Sequence, residues 1–138
     1  MAERATVELA ARGYDDVRPT HEFALRAILA GASSASDLGR RMAVSKQAAA
    51  KMIAVLEGRR YVAREPDPAD KRRMNLAVTD YGLSMLRAGE ATFDTLRDEW
   101  EQQVGAESLA LVEATLRQLV GDAPVRLDAP GWIARDTP

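Results

Sequence analysis

The stretch from Ser34 to Gly82, SASDLGRRMAVSKQAAAKMIAVLEGRRYVAREPDPADKRRMNLAVTDYG, constrains the fold more than any other part of the chain. Ser34, with Asp37 three residues on, has the form of a capping box and opens a short helix from roughly Ser36 to Met42. Ser45 suits the N-cap of a second helix, running from Lys46 to about Gly58. Ala49, Met52, Ile53 and Leu56 then recur at helical spacing and are expected to face a core, leaving Lys46, Gln47, Ala50, Lys51 and Ala54 on the outer face. Tyr61–Glu65 reads as a strand. The turn PDPADKRR follows, with two prolines and Asp70 as turn formers, and Met74, Leu76 and Val78 alternate with Asn75 and Ala77 as a second strand. The order is helix, tight turn, helix, strand, basic turn, strand. That order places one element for a DNA major groove and a second for the neighbouring minor groove.

Charge supports this reading. The whole chain has a formal net charge of −2, but Ser34–Val78 holds ten Lys/Arg against five Asp/Glu, a net of +5, and the remaining residues carry −7. A basic middle between acidic flanks is expected to meet phosphate. Lys71, Arg72 and Arg73 crowd the hairpin tip, a poor place for core and a good one for phosphates or a narrow, electronegative minor groove.

The flanks read as helices. Ala2–Arg12 forms a short one ended by Gly13, and Tyr14–Arg18 a loop. Pro19 then suits the first turn of a helix that stops at Gly31, with Phe23, Leu25, Ile28 and Leu29 as its apolar positions. Thr79 caps a long helix to about Val104, and Gly105 separates it from a last helix over Glu107–Val120. Leu86, Phe93, Leu96 and Trp100 form a heptad-like seam on the long helix, with Gly89 on the same seam. Leu109, Val112, Leu116, Leu119 and Val120 share one face of the last helix. Two such seams exceed what one small helical domain covers, so the excess reads as a dimer interface; the alternative is that the two helices pack on each other. Gly121–Pro138, with three prolines and two glycines, reads as an irregular tail in which Trp132 and Ile133 are docking residues.

The remaining inventory narrows function. The chain has no Cys, so disulfides, thiolate metal sites and a cysteine redox switch are excluded. One His, no glycine-rich phosphate loop and no Ser/His/acid or metal-spaced set leave an enzymatic reading without residues to carry it. No cofactor and no metal are expected. No apolar stretch reaches membrane-spanning length and the first residues lack a signal-peptide core, so a soluble cytoplasmic protein is expected.

At these residues the chain resembles the MarR family of winged-helix transcriptional regulators. The resemblance rests on Asp37-Leu38, Val44-Ser45, Ala48-Ala49 and Leu56 for the helix-turn-helix. For the wing it rests on Asp67-Pro68, Asp70-Lys71-Arg72, Leu76, Thr79 and Gly82. Gly13-Tyr14-Asp15-Asp16, Arg18-Pro19, His21 and Lys46-Gln47 resemble one branch of it. The resemblance implies a mainly α fold with a small β-wing: a winged helix-turn-helix domain plus a helical dimerisation region. Residues 1–31 would be N-terminal dimerisation and support helices, 32–79 the DNA-binding domain, 80–120 the C-terminal dimerisation helices and 121–138 the tail.

It further implies a homodimer on double-stranded DNA with a pseudo-palindromic operator. Ser45, Lys46, Gln47, Ala50 and Lys51 would meet the major groove, Arg72 the minor groove and Arg73 a phosphate. Asp70 would hold the wing tip in shape, while Ser34 and Ser36 cap the supporting helix and offer a phosphate contact. A small aromatic or phenolic effector would be bound near Tyr14, His21, Phe23, Arg26 and Met85 and would release the DNA. Arg60 and Ala43 stand where the family usually has Gly, and Gly39 where it has Ala. Either Gly58 takes over the helix stop or the turn at Arg60 is strained. The first helix is short for the family, which shifts the expected dimer contact toward the C-terminal helices and tail. The competing reading is a winged-helix protein-interaction module whose basic wing meets an acidic partner.

Overall fold

The computed structural model describes residues 2–121. Six helices and one hairpin follow in the order α1 (Ala2–Ala11), α2 (Pro19–Leu29), α3 (Ala35–Met42), α4 (Lys46–Gly58), β1 (Val62–Pro66), β2 (Met74–Val78), α5 (Asp80–Val104) and α6 (Ala106–Val120). The residues that end and begin these elements are mostly those that local chemistry prefers. Ser34, Ser45 and Thr79 each accept a backbone N–H from three residues on, satisfying donors that the first turn leaves orphaned. Pro19 opens α2, and Gly13, Gly31 and Gly105 take positive φ at helix ends.

One apolar cluster unites the winged-helix elements. Leu25 and Ile28 of α2, Leu38 and Met42 of α3, Ala49, Ile53 and Leu56 of α4, and Leu76 of β2 are buried together with Met85 and Leu86 from the start of α5. Met52 packs at the margin of this cluster. Leu29, an expected apolar position of α2, is instead 53% exposed in the last turn. The strands pair antiparallel with Val62 opposite Val78 and Pro66 opposite Met74, and the Leu76 N–H also donates to the Ser33 carbonyl, fastening the hairpin to the α2–α3 turn.

From this body α5 extends as an arm. α1 lies against it, with the Arg4 guanidinium donating two 2.7 Å bonds to the Glu99 carboxylate. α2 reaches it through Arg26 and Glu90 at 3.0 Å, and α6 through Arg97 and Glu113 at 2.8 Å. Gly82 is where α5 comes closest to the hairpin base: a Cβ there would lie 2.4 Å from the Tyr61 carbonyl oxygen, so the junction admits only glycine. Gly89 differs. The nearest atom to its would-be Cβ is a Glu22 carboxylate oxygen at 3.7 Å, an ordinary contact, so close helix approach does not require it. Among the described residues no helix is long and apolar enough to cross a membrane. The irregular tail expected beyond Gly121, with Trp132 and Ile133, lies outside the described residues.

Candidate nucleic-acid interface

The N-terminal half of α4 presents a small, polar, positively polarised surface. Ser45 Oγ accepts the Ala48 N–H at 3.1 Å, and the first turn contains no acidic residue. The helix's positive end, with Lys46 exposed beside it, carries no carboxylate of its own first turn, which makes it a favourable place for a phosphate. Lys46, Gln47, Ala50, Lys51 and Ala54 are exposed on one side, and Ala49, Ile53 and Leu56 are buried on the other. The turn before it is tight. Ala43 takes φ 54° and ψ 39°, and Gly39 accepts the N–H groups of both Ala43 and Val44. A Cβ on Gly39 would stand 2.9 Å from the Val44 carbonyl oxygen. The steric need for glycine thus falls at position 39, while Ala43 bears the left-handed backbone, a cost of roughly 1 kcal/mol for a residue with a Cβ.

The wing tip is built by two aspartates. Asp67 Oδ1 accepts the Ala69 N–H at 2.7 Å, and Asp70 Oδ1 accepts the Arg72 N–H at 3.0 Å. The Asp67 N–H closes the loop on the Arg73 carbonyl at 2.8 Å. The Asp67 carboxyl is held below its ordinary pKa, first by the Ala69 N–H and then by the Asn75 side chain, so it stays ionised. Lys71, Arg72 and Arg73 project exposed from this frame, and none makes an ion pair among the described residues. Met74, although it alternates with Leu76, sits at the mouth of the loop and is 47% exposed.

α3 supports α4 from behind. Ser34 Oγ accepts the Asp37 N–H at 3.2 Å, which is one half of the expected capping box. The Asp37 carboxylate takes a different set of partners, accepting from Ser33 Oγ at 2.9 Å and pairing with Arg40. The Ser33 hydroxyl, then Arg40 and Ser34, hold Asp37 down to about 2. Ser36 is exposed beside this cap. Arg40 and Arg41, with Asp37 and Gly31, flank an open groove of about 400 Å³.

Residues 16–73, the span of this α2-to-wing unit, match the MarR family. Over this segment the chain is similar to MarR-family proteins. A relative from Escherichia coli O111:H-, the transcriptional regulator HosA, is 35% identical over 76 residues, which is 55% of this chain and 56% of HosA. The match therefore spans little more than half the length of that relative. Two solved structures share the fold over most of the chain. YusO from Bacillus subtilis superposes with a TM-score of 0.69 at 21% identity, covering 88% of this chain and 84% of YusO. A mutant of S. aureus MepR bound to an oligodeoxyribonucleotide superposes with a TM-score of 0.62 at 19% identity, covering 86% of both chains.

The departures from the usual MarR-family pattern have structural outcomes. Gly58 does not take over the stop of α4; it is the last helical residue, and Arg60 adopts φ 62° instead. Its carbonyl accepts Thr79 Oγ1 at 2.6 Å, and its guanidinium lies 5.8 Å from the centre of the Tyr81 ring.

The five residues expected around a MarR-type effector are each held by contacts within the described residues. Met85 is 1% exposed inside the core. His21 is buried, and its Nδ1 accepts the Arg18 N–H at 3.2 Å, so it completes the α2 cap. Burial, then the charges of Arg59 and Arg18, push its pKa down and keep it neutral, as that acceptor role requires. Arg26 is engaged by Glu22 and Glu90, Phe23 packs at the edge of the core, and the Tyr14 ring lies 5.5 Å from that of Tyr81.

The seams expected to pair two protomers divide in the same way. Leu86, Leu96 and Leu109 are buried within the chain and are not available to a partner. Phe93, Trp100, Val112, Leu116 and Leu119 remain exposed, joined by Val104, Leu111 and Val120. Sequence reasoning missed Arg59, whose clamp on Asp16 bridges distant segments, and the stack of Tyr61 on Tyr81 at 5.2 Å. Neither has a periodic signature. The shaping role of Asp67 was legible as the first Asp of an Asp-Pro turn.

Proposed function

We propose that the protein is a DNA-binding transcriptional regulator that grips a pseudo-palindromic operator as a homodimer. The observation that carries this reading is the pairing of two surfaces on elements that share one apolar core. One is a helix N-terminus whose first turn holds no acidic residue and which bears Lys46, Gln47 and Lys51; the other is a hairpin tip whose cations make no ion pair among the described residues, on a frame of two aspartates. Lys and Arg offered in this way gain by displacing counterions from phosphate. Gln47 can bond an adenine edge, and the alanines at 50 and 54 let the helix lie deep in the groove. The fold shared with a DNA-bound MepR mutant and the match to HosA support the same reading. The exposed apolar residues of α5 and α6 support a second copy as the partner that brings two such units to half-sites about 34 Å apart. Occupying a promoter in this way obstructs polymerase, so repression is the expected output.

The test is fluorescence anisotropy with the DNA upstream of the protein's own gene, over a salt series and beside a scrambled duplex. Specific binding with a steep salt slope is expected, and adding small aromatic acids then tests for release by an effector. Equal, weak binding to both duplexes would favour the interaction-module reading, for which the alanine-rich outer face of α4 speaks.

A further inference from the structure

Three consecutive residues just past the C-terminal end of α4 hold two other segments, the α1–α2 loop and the first turn of α5. The Arg59 guanidinium donates from Nη1 to the Asp16 carbonyl at 2.5 Å and the Asp15 carbonyl at 3.4 Å, and from Nη2 to the Asp16 carboxylate at 2.6 Å. Asp15 and Asp16 belong to the loop between α1 and α2, and Asp16 is held at φ 53°. Arg60 and Tyr61 grip the first turn of α5 through the Arg60–Tyr81 contact and the stacked Tyr61–Tyr81 rings. The far end of the recognition helix is therefore tied at once to the loop leading out of α1 and to the start of α5. α1 and α5 are themselves locked together by Arg4 and Glu99.

This joint lies at the opposite end of α4 from Lys46. At 1.5 Å per residue, thirteen residues put the DNA-facing end roughly 20 Å away. A swing of about 10° about the joint would move that end by about 3.4 Å, the rise of one base pair. Small changes at Arg59 therefore translate into whole base pairs at the groove. The grip is specific in form, because one planar guanidinium satisfies a carboxylate and a carbonyl of the same residue together, which a lysine ammonium does not reproduce.

We propose that Arg59 is a positioning residue that sets the half-site spacing the dimer accepts. The inference rests on the regulator reading above. It assigns to Arg59 no contact with DNA. Because the Arg59 and Asp16 side chains are 28% and 64% exposed, the pair adds little to stability, and variants are expected to fold.

The test uses an operator selected from random duplexes by the wild-type dimer, together with versions carrying one base pair inserted or deleted at the centre. Wild type is expected to lose about tenfold or more in affinity for each changed spacing, a loss comparable to a mismatched base pair. Arg59→Ala is expected to bind the parent operator more weakly and all three duplexes within about threefold of one another, with an unaltered salt slope. Arg59→Lys should recover part of the selectivity, and Asp16→Asn should lose part of it. A wild-type spacing profile in Arg59→Ala, whether or not all affinities fall together, overturns the proposal, as does a wild type indifferent to spacing. Absence of any duplex bound by wild type would sink the regulator reading itself, a result distinct from either.

Discussion

The wing and α6 are both exposed, but in opposite chemistry. The wing tip shows three cations on a loop whose every turn is hydrogen-bonded within itself, so it is finished as a structure and unfinished only in charge. α6 has fifteen residues and buries only Leu109; Leu111, Val112, Leu116, Leu119 and Val120 face outward. It is finished in hydrogen bonds and unfinished in packing. A single-chain surface of the first kind calls for a polyanion, and one of the second kind for another apolar surface. Reading what each region lacks says more about its partner than reading what it contains.

The most forceful way to break the contrast is to put charge on α6. Replacing Leu116 and Leu119 together by Glu should weaken self-association by at least about 100-fold, since burying unpaired carboxylates costs several kcal/mol; analytical ultracentrifugation reads this directly. Unchanged association would move the interface off α6. Next in size is Arg72→Ala. It should lower operator affinity by about tenfold and the salt slope by about one, while leaving self-association alone; an unaltered salt slope would remove Arg72 from the interface.

Smaller effects sharpen the contrast from within the winged domain. Ala43→Gly relieves a left-handed backbone at the turn before α4 and should stabilise the fold by about 0.5 kcal/mol after the entropy of glycine in the unfolded chain is counted. Urea denaturation monitored by circular dichroism measures it, and a loss of stability would mean that the Ala43 methyl makes contacts worth more than the strain. The smallest effect concerns His21. Its pKa in the folded chain lies below the ordinary 6.5, so the unfolded chain binds the proton more readily. Its contribution is thus full above pH 6.5, declines as pH falls through the window down to its folded value, and is level below that. The melting temperature of wild type should drop across that window by more than that of His21→Asn, in which an amide oxygen accepts the same N–H.

How far the sequence disclosed this molecule follows the range of each interaction. Caps such as Ser34, Ser45 and Thr79 act within one helical turn, so their positions were plain from residue order, and so were the strands and the basic tip. The seam over Leu86, Phe93, Leu96 and Trp100 was less plain. Heptad spacing reports that residues share a helix face, and it is silent on whether that face meets the same chain or another; Leu86 and Leu96 turned inward while Phe93 and Trp100 did not. The local roles of two expected effector residues were hidden for a similar reason: Met85 lies in the core and His21 completes a helix cap. The joint at Arg59 was invisible, since it links residues 43 positions apart with no pattern between them.

The two aspartates that shape the wing also dilute it. Between Asp67 and Arg73 the loop carries two carboxylates against three cations, so its net charge is only +1. A wing of bare lysines and arginines would cling to any duplex and leave it slowly. This one gives up electrostatic grip for a fixed outline, and on the regulator reading proposed above the expected consequence is kinetic: quick release from wrong sites and more time spent sliding and hopping toward the right one.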